Sequence, residues 1–485
     1  MKAIKILSLS IAIIFTGACT RDFEDLQKNP NLPENVNPGL LLPSVILPAV
    51  NASINNGRSL TNEMMQYTAS NNSFTEVQRF IFTLGNSNSV WNSYYGRMQD
   101  IQDIISLSEQ LENPNYKAVG MIMRAWMFSI LTDVFTDIPY SEAGKAISNS
   151  NFTPVYDSQQ LIYEDLLLEL KTANDMLVPA LGLSFGGDIL FNGDVMRWKK
   201  FANSLRLRLL MRVSNKVEEF ASTEIKEMYD NPQKYPLFVS NQDHAVYQYS
   251  GLLPDVFPPY TEREFDFNNS VSSEFIIQTL KELDDPRLSI FFEPTKNSVL
   301  AGTPEYVGLP SGIPAGDAFE FNGGRDGQSL VNNSRFLNNA RQKGIILSYA
   351  EVQFLLTEAA MRDFIPANPE DYYEAGIQAS MAYWEAEIPD NYLQQEKVLW
   401  DGSYEKLFLQ KYLSLFYAGL EAWFEYRRTG YPQIIPGPAN VNDGIVPSRL
   451  LYPTIEQSLN LVNYQQAVQR IGGDNINSKG WWDSF

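Results

Sequence analysis

One cysteine, Cys19, and one histidine, His244, are all that this 485-residue chain contains of those two residue types. A lone thiol excludes an internal disulfide, and with a single imidazole beside it a zinc site of the usual kind is excluded as well. A Ser-His-Asp arrangement would have to use His244, the only imidazole the chain has. His244 is therefore expected to pack within its own proline- and aromatic-rich loop. The glycine-rich stretch NGGRDG (residues 322–327) lacks the Gly-Lys-Ser/Thr ending of a phosphate loop and the carboxylate spacing of a calcium hand, so it reads as a turn. Basic residues are also scarce: 37 Lys and Arg stand against 57 Asp and Glu, a formal net charge of −20. Such a body repels phosphate backbones and anionic lipid, which argues against a nucleic-acid role. Outside residues 6–15 no apolar run approaches the ~20 residues that a membrane-spanning helix needs.

What is present begins with an export signal. Lys2 and Lys5 form a positive head, residues 6–15 an apolar stretch, and Thr16, Gly17 and Ala18 supply small residues before Cys19. This order is secretory, and an exported chain that keeps one unpaired cysteine is expected to use it for lipidation, with cleavage before Cys19 and acylation of the new terminus. Thr16 departs from the aliphatic residue usual at that position, and secretion with a free thiol is the competing reading. Residues 1–18 are thus read as a lipoprotein signal peptide and residues 19–39, polar with Pro30, Pro33 and Pro38, as an extended tether. The body runs from 40 to 485.

Hydrophobic residues make up 44 % of the chain and charged residues 19 %, enough for a sizeable core. The body's dominant pattern is helical. Met98, Ile101 and Ile105, then Leu166, Leu170, Ala173 and Leu177, then Tyr373, Ile377, Met381 and Trp384, recur at spacings of three and four, each giving one apolar stripe on a helix face. Two regions, 231–269 and 293–345, break that rhythm with repeated prolines among aromatics, and read as long ordered insertions in a single helical body. Along residues 196–212, Arg206, Arg208 and Arg212 are expected to pair with acids of neighbouring helices rather than to bind an anion. Arg427 and Arg428, close to Glu421 and Glu425, are expected to serve structure in the same way.

Several phrases taken in order carry a family resemblance: TDIPYSEA (136–143), MRWKKFANSLRLRLLMR (196–212), DDPRL (284–288), YAEVQFLLTEAA (349–360) and EAWFEYRRTGYP (421–432). With the lipoprotein start they resemble the SusD/RagB family of outer-membrane nutrient-binding lipoproteins, in its SusD-like branch. The resemblance implies an all-α fold of tetratricopeptide-like helical repeats with the long loops packed on one side. It also implies an outer-membrane address facing the cell exterior, and a SusC-like TonB-dependent barrel as partner. The ligand it implies is an oligosaccharide, or in some members an oligopeptide, with no catalytic residues and no cofactor.

Aromatics make up 13 % of the chain, with 25 Tyr, 28 Phe and 8 Trp, and their flat faces suit both core packing and sugar stacking. Rings on loops are the candidates for ligand contact. Trp91, Asn92 and Tyr95 follow what reads as a loop at residues 84–90, although Trp91 and Tyr95 also fit the start of a helical stripe. Phe257, Tyr260, Phe265 and Asp266 lie in a stretch without helical period, and Trp400 precedes a helix. Trp481 and Trp482 are expected to pack against the body. A helical glycan-degrading enzyme is the remaining alternative, since two carboxylates suffice for that chemistry and acids are plentiful.

Overall fold

A computed structural model describes residues 37–72, 75–145 and 150–484; the export signal, Cys19 and most of the tether lie outside this set. The first helix, α1 (Pro38–Asn56), opens with proline where its missing N–H is no loss. It continues through one π-helical turn, Gly57–Thr61, into Asn62–Met64. Glycine at 57 is a packing requirement: a Cβ there would stand 2.7 Å from the carbonyl oxygen of Gly419. Then follow α2 (Leu84–Tyr95), α3 (Met98–Gln110), α4 (Pro114–Phe135), α5 (Gln159–Met176), α6 (Val195–Val213) and α7 (Glu218–Asp230). Beyond the insertions come α8 (Tyr349–Met361), α9 (Pro369–Trp384), α10 (Tyr404–Ser414), α11 (Glu421–Thr429) and α12 (Leu461–Arg470).

Helices adjacent in sequence pack as pairs, α3 on α4, α4 on α5, α5 on α6, α8 on α9, as short links require. The stripes seen in the sequence are the buried faces: Met98, Ile101 and Ile105 on α3, Leu166, Leu170 and Ala173 on α5, and Tyr373, Ile377, Met381 and Trp384 on α9. Each such side chain contributes roughly 1.5–3 kcal/mol by leaving water. The α8–α9 pair closes tightly because Ala359 and Ala360 are small and Gly376 lies against the Phe354 ring, 2.7 Å from where a Cβ would stand. Side chains of Ser158, Asp194, Ser348, Asn368 and Ser403 cap α5, α6, α8, α9 and α10.

Charged residues tie the helices together inside. Arg208 bonds Glu351 at 2.6 Å, Arg212 bonds Asp133 at 2.9 Å and also Glu421, and Arg206 meets Glu224. On α11, Arg428 bonds Glu358 (2.7 Å) and Glu425 (2.9 Å), with Lys411 adding a 2.6 Å pair to Glu425. Arg427 pairs with Asp483 at 2.8 Å rather than with the acids of its own helix, and lies 4.5 Å from the ring of Trp482. These arginines are structural, as their helical placement suggests. The TDIPY phrase ends α4 at Thr136 (φ 71°) and starts α5 from a distance, since Asp137 Oδ1 accepts from the Gln159 N–H at 3.0 Å.

Among the described residues, three small antiparallel pairs of strands, each too short to show alternation in sequence, join the loops. They are β1 (Thr68–Ser70) with β5 (Ser270–Ser272), β2 (Ile138–Pro139) with β3 (Tyr156–Asp157), and β4 (Ala245–Gln248) with β6 (Lys343–Leu347). The β4–β6 pair staples the first insertion to the end of the second.

Candidate functional site

Six separated segments meet at one cavity of about 470 Å³, Ser89 of α2 and Val331 each supplying one residue of its wall. The π-helical turn and its flanks bring Asn55, Arg58, Ser59 and Glu63. The β1 segment brings Thr68, the stretch 262–270 brings Glu262, Asp266 and Asn269, and the turn after α10 brings Tyr417. Two backbone features hold them together. Antiparallel register sets Ser70 opposite Ser270, and just beyond it the Asn71 N–H reaches the Asn269 carbonyl at 3.1 Å. Tyr417 adopts φ 62°, a left-handed conformation that a tyrosine takes only under compulsion from its surroundings. Its ring is stacked on Phe336 at 4.3 Å.

Arg58 forms a two-point ion pair with Glu262, one contact being 3.1 Å, and its guanidinium sits 5.0 Å from the Phe267 ring. Burial opposes its charge, but Tyr417 and Glu262 outweigh burial and hold Arg58 above its usual pKa. Burial lifts Tyr417 to about 12. Glu63 is the most perturbed acid in the cavity wall. Burial pushes its carboxyl up to about 7, against the downward pull of the Thr75 hydroxyl (2.6 Å), the Gln78 N–H (3.1 Å) and Arg79. The Thr68 hydroxyl oxygen is buried without a hydrogen-bond partner.

The wall thus offers hydroxyls, amides and carboxylates, with one ion pair that neutralises itself. This suits a ligand rich in groups that both donate and accept. Paired-carboxylate hydrolysis is poorly served, because Glu262 is committed to Arg58 and Asp266 to Arg263 at 2.6 Å. Among the described residues no cluster of three or more His, Cys, Asp and Glu could hold a metal ion.

The residues singled out in the sequence divide sharply. Residues 84–90 are helix, not loop: the Asn86 side-chain oxygen accepts from the Thr83 N–H (2.7 Å) and hydroxyl (3.0 Å), starting α2 at Leu84. Trp91 is therefore mid-helix and 5 % exposed, packed on Tyr95 (4.5 Å) and Phe135 (5.0 Å). Tyr95 donates its hydroxyl to the Pro139 carbonyl at 2.6 Å, while Asn92 is exposed on the same helix. Phe257 is core, between Tyr249 and Tyr417, and Trp400 is half-buried against Tyr373 at 4.8 Å. These placements share a cause, that rings near a helix or beneath a loop gain more from packing than from solvent. Tyr260 and Phe265 are exposed, and Asp266 lies in the cavity wall. His244 packs edge-on to Tyr383 at 5.7 Å, its pKa lowered to about 3 by burial and by Lys343 and Arg197. Sequence reasoning missed Arg58, Glu63, Thr68, Glu262 and Tyr417. The available signal was the polar run Arg58, Ser59, Asn62, Glu63 interrupting an otherwise apolar helix.

Residues 30–453 match the profile of a family described as starch-binding and associating with the outer membrane. Similar solved structures include a chitin-binding protein, 28 % identical, with a TM-score of 0.80 over 93 % of this chain and 100 % of that one. A SusD homologue from Bacteroides fragilis is 27 % identical (TM-score 0.79, 92 % and 99 %). A chitin-binding SusD homologue from Flavobacterium johnsoniae, 22 % identical (TM-score 0.77, 91 % and 98 %), shares the fold. Nothing among curated proteins matches the chain.

Proposed function

The chain belongs to the SusD-like family, and from that premise we propose that it is a non-catalytic, surface-displayed glycan-binding protein whose ligand enters the cavity between Arg58 and Asp266. The observation that carries the reading is that cavity: about 470 Å³, walled by hydroxyls, amides and carboxylates from six segments, with a buried hydroxyl left unpaired. Sugar hydroxyls both donate and accept, so each can satisfy neighbours of either kind. Chitin oligomers are the first ligand to try, since a relative 28 % identical is a chitin-binding protein.

Calorimetric titration with chitin, starch and peptide panels tests this. Asn55 and Asp266 are exposed residues of the wall, so Asn55→Ala and Asp266→Ala should each weaken glycan binding without loss of fold. A bound glycan whose affinity neither substitution changes would sink the site, and a peptide bound in its place would sink the ligand class. Prolonged incubation with a bound glycan should leave it intact.

The delivery arrangement belongs to the same proposal. Residues 1–18 are removed, Cys19 is acylated, residues 19–39 tether the body (40–485) to the outer face of the outer membrane, and the cargo passes to a SusC-like TonB-dependent barrel. Acyl labelling that persists in Cys19→Ala, or failure of a barrel to co-purify from outer membranes, would refute these steps separately.

A further inference from the structure

The segment that closes the cavity also walls a second recess, of about 720 Å³. Residues Glu264–Phe267 make a single helical turn, so successive side chains leave it in different directions. Asp266 and Phe267 line the first cavity, while Glu264 and Phe265 line the second. Neighbouring Cα atoms are about 3.8 Å apart, so the partition is one chain thick.

The second recess has what a sugar ring requires. Phe265 is 61 % exposed, and the Arg325 guanidinium, presented by the glycine-rich turn at 322–327, sits 4.6 Å from its ring while bonding Asn269. Leu300, 77 % exposed, adds apolar surface. Gln328 in the wall is 1 % exposed, and its Nε2 donates to the Ala318 (2.9 Å) and Phe321 (3.1 Å) carbonyls. Those two acceptors fix the amide's orientation, and its Oε1 is left without a hydrogen-bond partner. Side-chain oxygens of Asn268 and Asn333 in the same wall are likewise unpaired. The recess therefore holds amide oxygens without donors of their own beside an exposed ring. Lys296 is paired with Asp326 at 3.1 Å, and three acids in the wall, Glu264, Glu293 and Asp326, outnumber its two cations, Lys296 and Arg325, which disfavours an anionic ligand.

We propose that this recess is a second sugar subsite, and that one uncharged oligosaccharide crosses the Glu264–Phe267 partition to fill both. Its hydroxyls or amide N–H groups donate to the unpaired amide oxygens, and the apolar face of one ring lies on Phe265. The inference rests on the first cavity binding glycan. Two contacts on one chain then act in series, the second gaining from the high local concentration that the first creates.

Chitin disaccharide and hexasaccharide, titrated calorimetrically against the intact protein and against Phe265→Ala, decide it. The hexasaccharide should bind the natural protein more tightly than the disaccharide. Phe265→Ala should cut hexasaccharide affinity by about three- to tenfold, the worth of one ring contact, and leave the disaccharide unchanged. Loss of a side chain this exposed leaves the core untouched. An unchanged hexasaccharide affinity in Phe265→Ala overturns the second subsite while the first stands. Equal weakening of both lengths overturns it too, by placing Phe265 in the first site. If neither oligomer binds the natural protein while a peptide does, the underlying glycan reading fails.

Discussion

Glu63 makes stability a reporter of the cavity. Its carboxyl is buried in the wall and raised from the ordinary 4.5 to about 7, chiefly by loss of water. The folded chain therefore holds that proton more tightly than the unfolded chain. Between those two values the folded state binds more protons, so stability falls as pH rises. The contribution is complete below about pH 4.5 and gone above about pH 7. A rise of that size corresponds to roughly 3 kcal/mol, most of which lies between pH 5 and pH 8. Glu63→Gln keeps the shape and removes the titration. Urea unfolding of both proteins at the two pH values isolates the effect, because Glu169 and Glu421, also raised to about 7 by burial, are common to both. The natural protein should lose about 2–3 kcal/mol more than the variant on going from pH 5 to pH 8. Equal losses would show that Glu63 is solvated, and the cavity wall described above would then be wrong at that point.

Other consequences are as direct. Trp91→Ala should cost about 3–5 kcal/mol in thermal or urea unfolding, as for any large ring removed from a core, yet leave glycan affinity of the folded protein unchanged. Arg428→Met leaves the buried Glu358 carboxylate only a 3.5 Å contact to Arg362 and Glu425 only its pair with Lys411, and should cost about 3 kcal/mol in urea unfolding. Gly57→Ala forces a Cβ to within 2.8 Å of the Gly419 Cα. It should destabilise by about 1–3 kcal/mol and, by shifting the π-helical turn that carries Arg58, weaken glycan binding in the same titration.

The scaffold was legible in the sequence wherever one helix explains itself. The stripe of Tyr373, Ile377, Met381 and Trp384 needs no knowledge of its partner to be recognised as a buried face, and Arg208 and Arg212, spaced four apart, point to acids on adjacent helices. The site was legible only in part, because its contacts are long-range: Arg58 and Glu262 lie 204 positions apart, and no periodicity links them. Trp91 misled for a different reason. The stretch Gly85, Asn86, Ser87, Asn88, Ser89 has low helix propensity and reads as loop, but the Thr83–Asn86 cap and the burial of Val90, Trp91 and Tyr94 outweigh propensity. The aperiodic stretch 257–266 was more informative, since Asp266 and Phe265 came to line the two recesses.

That division bears on how such a protein can hold a glycan at all. None of the eight tryptophans stands open: six are buried, and Trp400 and Trp481 are half-buried. Stacking must then fall to smaller rings on the insertions, Phe265 foremost, since it lines a recess. One phenyl face contributes only about 0.5–1.5 kcal/mol beyond its buried area, and the hydrogen bonds of a sugar largely replace bonds to water. A single subsite of this kind is weak. Useful affinity has to come from several small contacts made by one chain, which is why the thin partition at Glu264–Phe267 matters: it lets adjacent parts of one ligand reach both recesses. Binding that grows with chain length, and exchanges quickly at each subsite, suits the proposed hand-off of a captured glycan to a transporter.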